Sequence, residues 1–210
     1  MAIIWPCALS VDQYVACGRE LEVPRPTCPA CTGSMTLWSG YMRSVRTDGR
    51  CVRVWVPRLR CRGCDTTHAL LPAFVVVRRL DTVETIGAVL DGVVDGPHGA
   101  RPVARRLDVP HTTVRGWLKR LRERAERLAV AFAALAVELG GEIPGAVADV
   151  TRQALAAMTA ASDAAFALPG WQVIGRWRFV SCVSGGRLLA TNTDSPYLVV
   201  GRRRFMPPVP

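Results

Sequence analysis

Residues 102–121 read PVARRLDVPHTTVRGWLKRL. The stretch predicts two helices joined by a tight corner. Pro102 suits the first helical position, where its missing N–H costs nothing, and Val103, Ala104 and Leu107 give that helix one apolar face. Pro110 disfavours α geometry at Val109 and has no N–H to donate, so Asp108-Val109-Pro110 breaks the run. A second helix then starts near His111 or Thr112, and Val114, Trp117, Leu118 and Leu121 recur at helical spacing as its buried stripe. His111, Thr112, Thr113, Arg115, Gly116 and Lys119 are left facing outward, a short polar start followed by Arg and Lys that suits a helix in the DNA major groove. Arg105 and Arg106 on the first helix fall where a phosphate backbone would pass. An ordinary helical hairpin with a solvated basic face has the same spacing.

Upstream, Asp81 or Thr82 can cap a helix through Val83, Ile86, Val89, Leu90 and Val93, ended by Gly96-Pro97-His98-Gly99. It supplies the first helix of a three-helix unit over residues 79–124. Downstream, Val114, Leu118, Leu121, Ala125, Leu128, Phe132, Leu135 and Leu139 make an unbroken heptad seam. A single helix over residues 112–139 would be about 42 Å long at 1.5 Å per residue. Gly140-Gly141 and Pro144-Gly145 end it, and an alanine-rich helix over residues 146–168 returns, so residues 125–170 read as a long helical hairpin. Small alanines on the returning helix would leave part of the Leu/Phe stripe uncovered, which predicts a homodimer.

The strongest chemical signal is Cys28-Pro-Ala-Cys31 with Cys61-Arg-Gly-Cys64. Each pair fits a turn that aims two sulfurs at one point, and four thiolates make the tetrahedral set that structural Zn²⁺ prefers, with no position left for a catalytic water. Between the pairs, residues 37–45 and 52–59 alternate like strands around Asp48-Gly49, a tight-turn pair. Residues 28–78 therefore read as a zinc ribbon, closed by an apolar connector or short strand over 70–77. Cys7, Cys17 and Cys51 have no partner at ligand spacing, and His68 is read as a packed or hydrogen-bonded surface histidine rather than a ligand. The hairpin carries Arg43, Arg46, Arg50, Arg53, Arg58, Arg60 and Arg62, offset only by Asp48, with Trp38, Tyr41 and Trp55 interleaved. A phosphate-tracking surface, with Arg43, Arg46 and Arg53 among its contacts, is one reading; a solvated face is the other.

The 210-residue chain has a formal net charge of +10, and Lys119 is its one lysine. Arginine matches phosphate and guanine in bidentate fashion, so the excess suits a nucleic-acid partner. Half of the residues are hydrophobic, enough for real cores. The most apolar run, 128–139, is too short for a bilayer and contains Glu138. The N-terminus lacks a secretion pattern. A cytoplasmic, nucleoid-associated protein is expected, and eight cysteines there favour metal over disulfides. Residues 1–27 hold an apolar start, Ile3-Ile4-Trp5, and a short helix over 11–17 capped by Ser10 and ended by Gly18. Residues 171–210 read as an irregular tail, either mobile or folding onto DNA or a protein partner, with Trp171, Ile174, Trp177 and Phe179 able to dock on the helical hairpin. Tyr197, Leu198, Arg202, Arg203, Arg204 and Phe205 are its other notable groups. The class is α+β: a four-cysteine zinc ribbon, a helix-turn-helix unit, a helical hairpin and a tail.

The CPAC and CRGC knuckles, the arginine-rich hairpin and the following helix pair resemble, over residues 28–125, the front end of insertion-sequence transposases. They are also similar to stand-alone actinobacterial proteins of uncharacterised function that accompany transposase or integrase genes. The resemblance implies that Cys28, Cys31, Cys61 and Cys64 bind zinc and that the helix from His111 reads double-stranded DNA. It also implies an accessory or targeting role beside a transposase or integrase. An ordinary transcriptional regulator or a zinc-ribbon protein scaffold are the alternatives. Such transposases continue into a nuclease domain with three metal-binding carboxylates. After Gly140 only Glu142, Asp149, Asp163 and Asp194 are acidic, and three histidines offer no hydrolytic set, so no enzyme activity is expected.

Overall fold

The computed structural model describes residues 2–169 and 174–189. It is α+β, with a four-stranded sheet and seven α-helices among the described residues. Strands β2 (Met35–Thr47) and β3 (Arg50–Cys61) form the expected antiparallel hairpin, longer at both ends than the alternation alone marks. Asp48 and Gly49 both have positive φ, 48° and 73°, the geometry that matches a two-residue turn to strand twist. The ladder runs from Thr47↔Arg50 at the tip to Met35↔Cys61 at the base, with one irregularity between Leu37 and Ser39. Val54, Val56 and Leu59 are fully buried.

Strand β4 (Thr67–Pro72) closes the sheet against β3, as the apolar run there suggests. The apolar N-terminal residues become strand β1 (Ala2–Trp5), parallel to β4 with Ala2↔Ala69 and Trp5↔Pro72, so the sheet order is β1-β4-β3-β2. Helix α1 (Val11–Cys17) has the expected limits, with Ser10 and Gln13 in a reciprocal capping box and Gly18 at φ 54°. Its Tyr14 is buried edge-on against Phe74, ring centroids 5.2 Å apart, and its hydroxyl donates to Trp55 O at 2.9 Å.

Helix α2 (Val83–Val94) is capped by Thr82, whose hydroxyl accepts from Thr85 N. Helix α3 (Ala100–Arg106) starts two residues before Pro102, with Gly99 as its N-cap. The chain turns at Asp108, φ 50°, and α4 (His111–Arg122) follows. The predicted 112–139 helix is interrupted. Arg124 sits at φ −121°, ψ −1°, and α5 (Ala125–Glu138) begins after it. The bend has a packing reason: Trp117 and Leu121 stay in the core with α2 and α3, while Leu128 and Phe132 turn onto α6 (Val150–Phe166). Asp149 caps α6, four residues later than the alanine-rich run suggests.

The heptad seam closes inside one chain. Leu128 and Phe132 are buried, and Leu135 and Leu139, partly buried, pack against the same cluster, so the stripe is covered largely from within the chain. Residues from α2 through α7 (Arg176–Val183) share this core, and the expected division near residue 124 is not a division of packing. Part of the expected tail is integral too. Ile174, Trp177 and Phe179 are buried, and the Trp177 indole lies so near Gly87 that a Cβ there would be 2.2 Å from the ring. Trp171 and residues 191–210, including Tyr197, Leu198, Arg202–Arg204 and Phe205, lie outside the described residues.

Two charged contacts join the sheet to the helices. Arg46 Nε donates to the buried Asp81 carboxylate at 2.7 Å, beside backbone hydrogen bonds to Leu80 and Thr82. Arg178 on α7 pairs with Glu84 of α2 and donates to Cys7 O and Leu9 O, both at 2.8 Å. Only 12% of its side chain is exposed. Removing one member of such a set strands the others in a low-dielectric site. Arg178→Met is therefore expected to lower the unfolding free energy by about 3 kcal/mol in urea titration; a loss below about 0.5 kcal/mol, the range of an ordinary surface substitution, would show the clasp to be solvated.

Candidate metal centre and basic helix face

The two cysteine turns are built alike. Thr32 N donates to Cys28 O and Asp65 N to Cys61 O, and both Thr32 and Asp65 adopt φ of 60°, which curls each turn back on itself. Arg62 N donates to Ser34 O and ties one turn to the other. The hairpin base brings Met35 and Cys61 into register, so the first turn ends where the second begins. There is little room for a side chain at Gly33, where a Cβ would stand 3.2 Å from Cys61 Sγ and 3.3 Å from Cys31 Sγ.

All four expected ligand sulfurs come together, within 4.8 Å of one another. Cys28 and Cys64 Sγ are 3.7 Å apart and Cys31 and Cys61 Sγ 3.4 Å. Metal–sulfur bonds of about 2.3 Å in a tetrahedron set sulfur–sulfur edges of about 3.8 Å, so the set fits a four-coordinate ion. Gly63 N donates to Cys61 Sγ at 3.3 Å, an N–H···S contact that favours a thiolate. The hydroxyl and backbone of Thr66 bring Cys64 down to about 6. At Cys31 the Gly33 N–H favours the thiolate, but sharing with Cys61 and Cys64 outweighs it and the thiol rises to about 12. All four sulfurs could be thiolates together only with a cation between them, and without one Cys31 keeps its proton.

His68 departs from the surface histidine that its sequence position suggests. It is fully buried, not at the surface, and its Nε2 lies 3.5 Å from Cys28 Sγ. Burial holds its pKa below the usual histidine value, so the ring is neutral. Its Nδ1 is buried without a hydrogen-bond partner among the described residues. Placing the proton on Nε2 leaves Nδ1 a bare acceptor and lets Nε2–H donate to the Cys28 thiolate, the outer-sphere role common around metal ligands. Its position four residues after Cys64 was the available signal.

The metal turns and the α3–α4 corner lie at opposite ends of the hairpin. A Cβ on Gly49 would come within 3.1 Å of Asp108 Oδ2, so it is the tip that abuts the corner. The cysteines are about 40 Å of strand away at roughly 3.3 Å per residue. The metal centre is thus not beside α4.

Helix α4 divides as its spacing indicates. Val114, Trp117, Leu118 and Leu121 are buried; Thr112, Arg115, Lys119 and Arg122 are exposed, and His111 and Thr113 are half-buried. Lys119 pairs with Glu123 at 3.8 Å across one turn. Arg105 and Arg106 are both exposed on α3, and Arg106 reaches over α2, its Nη2 3.1 Å from where a Gly92 Cβ would sit. Two hairpin arginines expected at phosphates are engaged inside the protein. Arg43 donates to Val76 O and Arg79 O, both at 2.7 Å, and Arg46 is held by Asp81. Partners that only the tertiary fold brings near decide this. Arg53 is exposed, as are Arg58 and Arg62.

Residues 28–117, from the first ligand cysteine to the buried Trp117 of α4, match a domain of unknown function (DUF6431). No curated protein and no solved structure matches the chain. No described helix is long and apolar enough to cross a membrane.

Metal uptake should release protons, because at pH 7.5 Cys64 is already a thiolate whereas Cys31 keeps its proton until a cation displaces it. The calorimetric enthalpy is expected to vary with the ionisation enthalpy of the buffer. A buffer-independent enthalpy would contradict this. Cys61→Ser is expected to abolish stoichiometric metal content by atomic absorption.

Proposed function

We propose that the chain is a zinc-stabilised, sequence-specific protein for double-stranded DNA, with residues 28–78 as a zinc ribbon and α2–α4 as a helix-turn-helix unit. The supporting observation is the division of α4. Its apolar stripe is spent on the core, and its opposite side offers Thr112, Arg115, Lys119 and Arg122 to solvent. An exposed helix face with a hydroxyl at its start and cations further along is what major-groove reading uses. The formal charge of +10 supplies the sequence-independent attraction.

In this reading Zn²⁺ is structural, since its four positions are filled by thiolates. The ion holds the hairpin base shut and the ladder stiff. Thr112, Arg115 and Lys119 address base edges, with His111 and Thr113 at the rim. Arg105 contacts phosphate. On the ribbon, Arg53, Arg58 and Arg62 replace Arg43 and Arg46 as phosphate contacts, because the latter two are consumed in joining sheet to helices. The role is one of binding, without catalysis. Service as the accessory or targeting subunit of a transposase or integrase system, with such an enzyme as partner, rests on the resemblance of the motifs alone.

The test is a gel shift against a selected duplex and a random duplex across a salt series. Affinity is expected to fall steeply with salt. Arg115→Ala is expected to cost about 1–3 kcal/mol on the selected duplex and much less on the random one. Equal losses on both would make Arg115 a phosphate contact. No binding to any duplex at low salt would leave a protein-binding scaffold as the reading.

A further inference from the structure

Strand β2, at the edge of the sheet, leaves an apolar patch in solvent along its metal-proximal half. Within six residues, Leu37, Trp38, Tyr41 and Met42 stay 57%, 59%, 40% and 41% exposed. Single apolar side chains on a surface are ordinary, but four of this size side by side mark a contact region. They belong neither to the four-cysteine cluster nor to α4.

The patch is built as a stacking platform. Arg60 lies over the Trp38 ring, its guanidinium carbon 4.5 Å from the centroid, and Asp65 holds that guanidinium through Nε and Nη2. A tethered cation thus steadies the indole, which with more than half of the residue exposed still offers ring surface to a second flat group. Tyr41 stands three residues on, about 10 Å along the strand at roughly 3.3 Å per residue. The ladder pairs Tyr41 with Val56 and Ser39 with Arg58, so Tyr41, Arg58 and Arg60 project from one face. Arg58 and, in the second cysteine turn, Arg62 are exposed and have no ion pair among the described residues.

Charge selects the occupant. From Cys28 to Cys64 the one carboxylate is Asp48, at the far tip of the hairpin. A second copy of this surface would set arginine against arginine, so the complement is an anion. An added peptide strand is disfavoured as well, because the irregularity between Leu37 and Ser39 breaks the outer edge of β2 at Trp38, and such a break blunts strand pairing. An anion that carries flat groups remains. In a duplex the base faces are spent on one another, whereas an unpaired strand exposes them and keeps its phosphates. We propose that this face of the ribbon binds single-stranded DNA, with bases stacked on Trp38 and Tyr41 and phosphates on Arg58 and Arg62. From Trp38 to Thr47 is about 30 Å of strand at roughly 3.3 Å per residue, and the tip beyond it abuts the corner before α4. A strand that continues from a duplex on α4 along the hairpin reaches the platform, so the preferred target is a duplex with a single-stranded extension. The platform stands on its own geometry; the choice of DNA over RNA, and the bridge to a duplex, rest on the DNA-binding reading.

Fluorescence anisotropy on the metal-loaded full chain compares a labelled oligothymidylate with an abasic strand of equal length and charge and with an oligouridylate, and uses poly-L-glutamate as competitor. Saturable binding of the oligothymidylate is expected, at least tenfold tighter than that of the abasic strand and no weaker than that of the oligouridylate. Trp38→Leu combined with Tyr41→Leu keeps apolar bulk and removes the flat rings; it is expected to lose at least tenfold on the oligothymidylate with thermal midpoint and metal content preserved. Absent binding at low salt, equal affinity for the abasic strand, or tighter binding of the oligouridylate overturns the proposal. So does poly-L-glutamate displacing the strand as well as unlabelled oligothymidylate does, or an unchanged affinity in the folded double variant. Should that variant not fold, photocrosslinking of an iodouracil-substituted strand to the unaltered chain reads the same contact: crosslinks at Trp38 or Tyr41 are expected, and crosslinks confined to other residues overturn it. For the bridge, the selected duplex is compared blunt and with a single-stranded extension. Tightening of at least tenfold by the extension, lost in the double variant, supports the bridge; equal constants with intact oligothymidylate binding overturn the bridge alone. Failure of the duplex reading of α4 would appear as absent binding of the blunt duplex with oligothymidylate binding intact.

Discussion

The register of the β2–β3 ladder governs the layout of this molecule. Twelve cross-strand pairs, from Met35↔Cys61 to Thr47↔Arg50, place the two cysteine turns at one end and a tight Asp48-Gly49 turn at the other. A slip by one residue would turn Val54 and Val56 out of the core and carry Cys61 away from Cys31. The same ladder brings the tip against Asp108, at the corner between α3 and α4. A local staple at the base, a stiff ribbon and a corner contact at the tip form one mechanical line.

The helical half is held by a different device. A single apolar cluster runs from α2 through α7, and the break at Arg124 lets the α4–α5 stripe face two partners in succession. Helix α7 completes it from far along the chain. Trp177 fills the space against Gly87 and donates to Asp91 at 2.9 Å, while Arg178 reaches Glu84 and the carbonyls of the N-terminal segment. These contacts fix α2 on two sides. On the proposed reading, α2 is the platform behind the DNA-contacting helix, so the late α7 segment stabilises a surface it does not itself present.

Arginine serves two purposes here, and charge alone does not separate them. Arg43, Arg46 and Arg178 are turned inward onto carbonyls or carboxylates. Arg53, Arg105, Arg115 and Arg122 remain exposed. The guanidinium group can do either, because its planar set of donors fits several inward acceptors as well as it fits phosphate. Desolvation lowers the pKa of Arg43, as its two carbonyl partners carry no balancing charge.

Local chemistry settled a good deal from the order of residues alone. The Cys-X-X-Cys spacing, the Asp48-Gly49 turn, the Ser10 and Thr82 caps and the apolar stripe of α4 are all short-range patterns, and short-range patterns are written in consecutive residues. What the chain order could not show is whatever depends on distant segments meeting. That Ile3 and Ile4 form a strand beside β4, that the heptad seam is closed by α6 and that His68 lies behind Cys28 are results of packing. So are the inward arginines and the separation of the metal centre from α4. Each requires residues tens of positions apart to compete for the same buried surface, and that competition is decided only when the whole core assembles.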